Sequence, residues 1–230
     1  MALGTSSNVR LVAITLSLLA VVLPTPVRAW YAAAESLQRR PIPRIDPGQQ
    51  VAATSVRSTS GAAFPELEAF VTSMTPAAPE QLMAVFVPDT FLMPVTQQPS
   101  DNPQFVAPVE NTITEFAATG KFDSTGLLAH NYLAGENFFT LREGQEFFLV
   151  LGDGSTSAFI VTEIQQYQAL QPQSPYSDFV DLETSDRLSA SQLFKTAYGR
   201  AGTVVFQTCI ADGGEASWGR LFVIAEPMAG

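Results

Sequence analysis

The chain has 230 residues, 46% of them hydrophobic and 15% charged, with a formal net charge of −10. That length and apolar content suffice for one domain with a sizeable core plus a tail. The acidic balance argues against nucleic acid or an anionic membrane surface as a partner. The single cysteine excludes an internal disulfide.

Taken in order, the chain opens with a short stretch whose only side-chain charge is Arg10, followed by a 13-residue apolar run, Leu11–Leu23. Pro24-Thr25-Pro26 ends the run, and Val27-Arg28-Ala29 has the small residues that a signal peptidase reads. The run is shorter than the roughly 20 residues of a spanning helix. Residues 1–29 are therefore read as a signal peptide, with an uncleaved N-terminal membrane anchor as the competing reading. Either reading predicts export to the extracellular space or cell surface, with membrane contact only through this segment if it stays uncleaved.

Residues 30–79 read as a linker with short helices. Asp46–Ala62 is rich in Ser, Thr, Gly, Ala and Gln, which suits a flexible spacer. Phe64, Leu67, Phe70 and Val71 then fall at helical spacing. Residues 80–230 read as the folded domain. Its β-type runs are Ala84–Val87, Gln104–Val106, Thr112–Phe116, Gly126–Asn131, Glu146–Leu151, Ala158–Ile164, Val204–Gln207 and Leu221–Ala225, most of them bounded by turn residues. Ser189–Tyr198 breaks the pattern: a Ser cap and Leu193, Phe194 and Tyr198 on one side predict a helix. A further helical turn is expected around Gly135–Leu141. Many short strands and few helices make the fold class mainly β, a barrel or sandwich decorated with short helices.

Three unique or well-placed groups carry the chemistry. Cys209 follows the run Thr203–Phe206, Arg220 precedes the run Leu221–Ile224, and the only histidine, His130, ends the run Gly126–Ala129. A free cysteine is usually a small buried hydrophobe. Here it lies in an exported chain, where an unpaired thiol is an oxidation liability, and beside a glycine-rich turn. A histidine and an arginine are available to make its surroundings electropositive, which favours the nucleophilic thiolate. His130 would then be the acid–base group, holding the thiolate and later protonating a leaving amine. Arg220 could be an ordinary surface charge; its functional role would be donation to a developing oxyanion or to a substrate carbonyl. With one histidine and one cysteine, a zinc site lacks its ligands. No cofactor is expected: calcium fits the acidic balance, but no acidic cluster has the ligand spacing.

These residues, in this order, resemble the sortases, exported cysteine transpeptidases. Ala129–Val150 is similar to the sortase histidine segment, Val204–Cys209 (VVFQTC) resembles the family's TLxTC strand end, and Trp218–Glu226 (WGRLFVIAE) resembles the arginine strand. The resemblance covers roughly Gly126 to Pro227. It implies a closed eight-stranded β-barrel and a site in which Cys209, His130 and Arg220 take the catalytic roles. It also implies that Thr208, which matches the motif threonine, assists the oxyanion or the substrate. The implied partners are the sorting-signal peptide of a surface protein, cleaved at a Thr–Gly-like bond through a thioester, and an amine acceptor. Gln207 and Asn131 depart from the family pattern.

Two other readings stand beside it. FQTCIADGG is loosely similar to the nucleophile segment of caspase-like proteases, but those place histidine about 50 residues upstream and need an α/β sandwich. His130 and Cys209 are 79 positions apart. The other reading is a non-catalytic exported β-barrel binding module; simple hydrolysis in place of transpeptidation is a variant of the first.

Overall fold

A computed structural model describes residues 64–228 apart from Pro76. The leader or anchor expected at 1–29, and most of the linker expected at 30–79, lie outside the described residues. Among those that are described, no helix is long and apolar enough to cross a membrane.

The strands are β1 (Leu82–Val87), β2 (Phe91–Gln97), β3 (Ile113–Phe116), β4 (Thr125–Leu128), β5 (Glu146–Leu151), β6 (Thr156–Ala169), β7 (Phe179–Asp181), β8 (Arg187–Leu188), β9 (Val204–Asp212) and β10 (Glu215–Pro227). Neighbouring strands run β10-β9-β4-β3-β2-β1-β5-β6, and β6 pairs back to β10, so eight strands close a barrel. Closure leaves the ring without an edge to template unwanted pairing. β7 and β8 extend from β6 outside the ring. Among the described residues two helices, α1 (Pro65–Ser73) and α2 (Ala190–Tyr198), and two 3-10 segments, Ala117–Phe122 and Ala134–Thr140, accompany the strands.

Period-two alternation sorts each strand into two faces. The inward set includes Val85 and Val87, Phe147 and Leu149, Val204 and Phe206, and Leu221 and Val223, which form one apolar cluster. Phe206 is its hub, with its ring 5.1 Å from Phe138 and 5.1 Å from Phe147. The outward sets are also apolar in two places, and each is covered by a helix. α2 lies with Val205, Phe222, Ile224, Tyr167 and Phe179, whereas α1 lies with Ala84, Phe86, Phe148 and Val150.

Most expected elements form, with two differences of substance. Gln104–Val106 is not a strand; it sits in a loop held by Gln98, whose Nε2 donates to the carbonyls of Pro103 (2.9 Å) and Phe105 (3.0 Å). The strands missing from the sequence reading are the short β7 and β8 and the longer β2, whose Pro94 looks like a breaker. Pro94 faces Ala84 on β1, but pairing with β3 begins only at Val95, so the absent N–H is not needed on that side. The second difference concerns the hairpin. β9 does not end near Cys209, and β10 does not begin at Arg220: both run on to a tight turn, Asp212-Gly213-Gly214-Glu215. Gly213 (φ 55°) and Gly214 (φ 85°) supply the positive φ that a two-residue hairpin turn demands. The α/β sandwich required by the caspase-like reading is absent from the described residues, where a closed barrel stands instead.

Candidate functional site

Strand register assembles the site. On the antiparallel pair β9–β10, Arg220 lies directly opposite Cys209. On the parallel pair β4–β9, Thr125 lies opposite Val204, an offset of 79 positions. The same 79 positions separate His130 from Cys209. The register persists beyond the end of β4, because Ala129 N–H donates to the Gln207 carbonyl (3.3 Å) and Thr208 Oγ1 donates to the Ala129 carbonyl (2.9 Å). The same offset carried one residue further sets the His130 position level with Cys209. Ala129 is buried in the barrel core, so alternation gives His130 the outer face. Cys209 shares that face, since its neighbours Thr208 and Phe206 point inward.

The row continues past the three expected residues. On its other side Arg220 faces Tyr167 of β6, and Tyr167 in turn faces Asp181 of β7. By strand register Cys209, Arg220, Tyr167 and Asp181 lie at one level across four neighbouring strands, and the β4–β9 offset carried past the end of β4 extends that level to His130. Cys209, His130 and Arg220 are all half-buried, accessible yet partly shielded from water.

Arg220 is oriented from its own hairpin. Its Nη1 donates to the carbonyls of Ser217 (2.9 Å) and Gly219 (2.8 Å), and its Cζ lies 6.0 Å from the centre of the Phe179 ring. With Nη1 held, Nε and Nη2 remain the donors suited to an incoming oxygen. Gly219 is required beside it, since a Cβ there would lie 2.5 Å from the Tyr167 carbonyl. Burial, followed by the charges of Asp181 and Glu163, pushes the Tyr167 phenol up to about 12, so it stays neutral at ordinary pH. Exposed Glu215 at the hairpin tip is held below the usual carboxylate range, chiefly by the Ser217 backbone N–H, then by Gln173 and Arg220.

The histidine segment is tied down from several sides. The His130 carbonyl accepts from the N–H groups of Leu133 and Gly135, both at 3.0 Å. Gly135 is pressed against Thr208 Oγ1, and a Cβ there would fall 2.7 Å from the His130 carbonyl. Asn131 Nδ2 donates to the Ala216 carbonyl (3.0 Å), fastening the segment to the β9–β10 hairpin. Tyr132, an exposed aromatic, stacks on the imidazole with centroids 5.2 Å apart and planes 19° apart.

Thr208 does not join the row. It is 2% exposed and faces inward, its hydroxyl engaged by the Ala129 carbonyl, so it braces the strands behind the thiol. Gln207, which had no expected role, accepts from the Tyr198 hydroxyl and lines a cleft of about 260 Å³ beside Arg220. Phe222, Phe179, Tyr198 and Leu128 also line this cleft, which is the concave feature adjoining the row. Asn131, Tyr132, Tyr167 and Gln207 were thus missed as site residues. A register argument alone would have found Tyr167, once β6 was known to lie beside β10.

No group of three or more His, Cys, Asp or Glu side chains able to hold a metal ion occurs among the described residues.

No family model matches the chain, and no curated protein matches its sequence. Among solved structures, the chain is similar to the sortase. Sortase C1 from Streptococcus suis matches at 16% identity over 66% of this chain and 75% of that one, with a TM-score of 0.44. Listeria monocytogenes sortase A matches at 12% identity, covering 65% of this chain and 88% of that one, with a TM-score of 0.41. Clostridium perfringens sortase C, solved with the C-terminal cell wall sorting motif, matches at 15% identity over 66% and 73%, with a TM-score of 0.40. At these identities the likeness concerns the path of the backbone, not the chemistry of the site.

Proposed function

We propose that the protein is an exported cysteine acyltransferase of the sortase kind, acting on a peptide through Cys209. The observation that supports this reading is the pairing of Arg220 with Cys209 across β9 and β10, together with a β4–β9 offset equal to the separation of His130 and Cys209. The Cys209 thiolate attacks a peptide carbonyl carbon, and Arg220 donates to the oxygen as it gains charge. The C–N bond then breaks, the leaving amine takes a proton from the His130 imidazolium, and a thioester remains on Cys209. A second amine attacks the thioester, gives a proton back to the imidazole and expels the thiolate, restoring the starting thiolate and imidazolium. Water in place of that amine gives hydrolysis. Export through the apolar segment at 1–29 belongs to the same proposal, with a sorting-signal peptide as donor and a cell-surface amine as acceptor.

The test is turnover of sorting-signal-like peptides by the full chain, with and without an amine, read by mass spectrometry of the acyl-enzyme and products. Cys209→Ala is expected to abolish the acyl-enzyme. Arg220→Ala is expected to lower turnover by about 10²-fold or more, the size of losing an oxyanion donor, with an unchanged thermal midpoint. Retained turnover in Arg220→Ala removes the guanidinium from the mechanism. Absence of any acyl-enzyme in the unmodified chain removes the acyltransferase and leaves a binding module.

A further inference from the structure

The cleft beside Arg220 has a charge pattern at odds with the rest of the molecule. The chain carries a net charge of −10, yet the residues lining this cleft include Lys121 and Arg220 and no carboxylate. The two cations differ in how they are held. Arg220 is bound into its hairpin, whereas Lys121 is exposed and rests on aromatic faces, its Nζ 5.1 Å from the ring centres of both Phe122 and Phe194. The ion pairs among the described residues join Arg187 to Asp178 and Arg200 to Glu163 and Glu226; none involves Lys121. Partial burial without a counter-charge lowers the Lys121 pKa from its ordinary value, a cost that an incoming anion would relieve.

Beneath Lys121 the floor is aromatic. Phe194 lies 6.0 Å from Phe116 and 5.1 Å from Tyr198, and Tyr198 lies 6.0 Å from Phe222, next but one to Arg220. A second and independent feature faces the same cleft. Gln98 is 7% exposed and its Nε2 is fixed by two carbonyls, but its buried Oε1 has no hydrogen-bond partner among the described residues. Gln98 thus closes one wall of the cleft with its amide fixed and uncharged.

We propose, on the footing of the acyl-transfer reading above, that this cleft seats an extended stretch of the donor peptide bearing an acidic side chain, which pairs with Lys121. An apolar side chain of the same peptide lies on the Phe116–Phe194–Tyr198 floor. Lys121 is thereby the specificity-determining residue: the aromatic floor accepts many apolar side chains, whereas the ammonium, not tied to its own backbone as Arg220 is, selects for a carboxylate. Selection by a charge placed in partly apolar surroundings is stronger than by the same charge in bulk water.

The experiment measures binding apart from catalysis. The full chain carrying Cys209→Ala is titrated with fluorescein-labelled pentapeptides of the form Leu-Pro-Xaa-Thr-Gly and with versions in which each position in turn is Glu, Gln or Lys. Binding is read by anisotropy. The proposal expects Glu to be favoured over Gln at one position by about fivefold, the size of one partly exposed charge pair. Adding Lys121→Met, which keeps the aliphatic stem, is expected to erase that preference, and Lys121→Glu to turn it toward Lys. Equal binding of Glu and Gln at every position, a preference that survives Lys121→Met in a chain with unchanged thermal midpoint, or no binding of any peptide would overturn it. Acyl-enzyme formation by the unmodified chain is followed separately with the same peptides. An acidic preference without a thioester removes the acyltransferase reading and leaves the cleft assignment. A thioester without an acidic preference does the reverse.

Discussion

The barrel has two apolar outer faces, each covered by a helix of nine residues, and the two are closed in different ways. Under α1 the strands offer Ala84, Phe86, Phe148 and Val150, and Phe64 packs on both rings, 5.1 Å from Phe86 and 5.5 Å from Phe148. Under α2 the strands offer Val205, Phe222 and Ile224, but toward the strand ends the same face carries Gln207, Cys209 and Arg220. α2 covers the apolar half and leaves the polar half open, which makes the cleft. The helices differ accordingly. α1 starts with Pro65 and no side-chain cap, and buries only Leu67. α2 starts with a full capping box between Ser189 and Gln192, and buries Leu193, Ala197 and Tyr198. A helix that walls a cleft on one side is braced at its own end, while a helix lying flat on a closed face is held by the face.

The largest test of this contrast is a matched pair of aromatic truncations. Phe86→Ala under α1 and Tyr198→Ala under α2 each remove a ring that is 2% exposed or less, at an expected cost of about 3–5 kcal/mol. Denaturant unfolding checks that the two costs are similar. Turnover per folded molecule separates them: Phe86→Ala leaves KM unchanged, and Tyr198→Ala raises it because the cleft loses its floor and Gln207 its partner. Equal KM effects would break the comparison.

Next come two glycines that admit no side chain. A Cβ on Gly135 would press on Thr208 and on the carbonyls of His130 and Ala129, and one on Gly152 would press on the Ala78 carbonyl, on the α1 side. Neither backbone contact can yield cheaply, so each Gly→Ala change costs about 1–3 kcal/mol in a thermal melt. Only Gly135→Ala also slows acyl-enzyme formation, since it shifts the segment bearing His130.

A third test uses alkali. The Tyr167 phenol is pushed up to about 12 in the fold against an ordinary value of 10, so between those limits the unfolded chain loses a proton that the folded chain keeps. Stability therefore falls as pH rises above 10, by about 2 kcal/mol on reaching 12. Tyr167→Phe should flatten that decline in denaturant unfolding at successive pH values. Buried Tyr198, also raised, supplies a second decline that Tyr167→Phe leaves in place.

The smallest effect is Ser189→Ala, which removes the α2 cap at a cost of about 1 kcal/mol. Circular dichroism melts measure it. No substitution of Phe64 for another apolar residue should produce a capping effect at α1, where the side chain makes no cap hydrogen bond.

The sequence was informative where local rules govern. Ser189 and Gln192 stand three positions apart before an apolar stripe, and α2 forms there with the expected cap. Glu146–Leu151 is a short, almost wholly apolar run bounded by turns, and β5 has those limits. The pairing of Cys209 with Arg220 was also legible, because a Gly-Gly turn between two β-type runs folds them back on each other. What was not legible depended on partners distant in sequence. β2 hides behind Pro94, whose tolerance is set by where β3 joins. Thr208 looked like a site residue from its place beside the cysteine, yet strand alternation turns it to the other face. Tyr167 gave no sign in the sequence, since only the closure of β6 onto β10 brings it beside Arg220.

That closure has one more consequence. β10 is hydrogen-bonded to β9 along one edge and to β6 along the other, so it is the seam at which the cylinder is sewn shut. The same strand sets Arg220 opposite Cys209. Unzipping the seam and dismantling the site are therefore a single event, and heat or denaturant has no route to a folded barrel from which Arg220 has merely strayed. Inactivation and unfolding should keep the same clock.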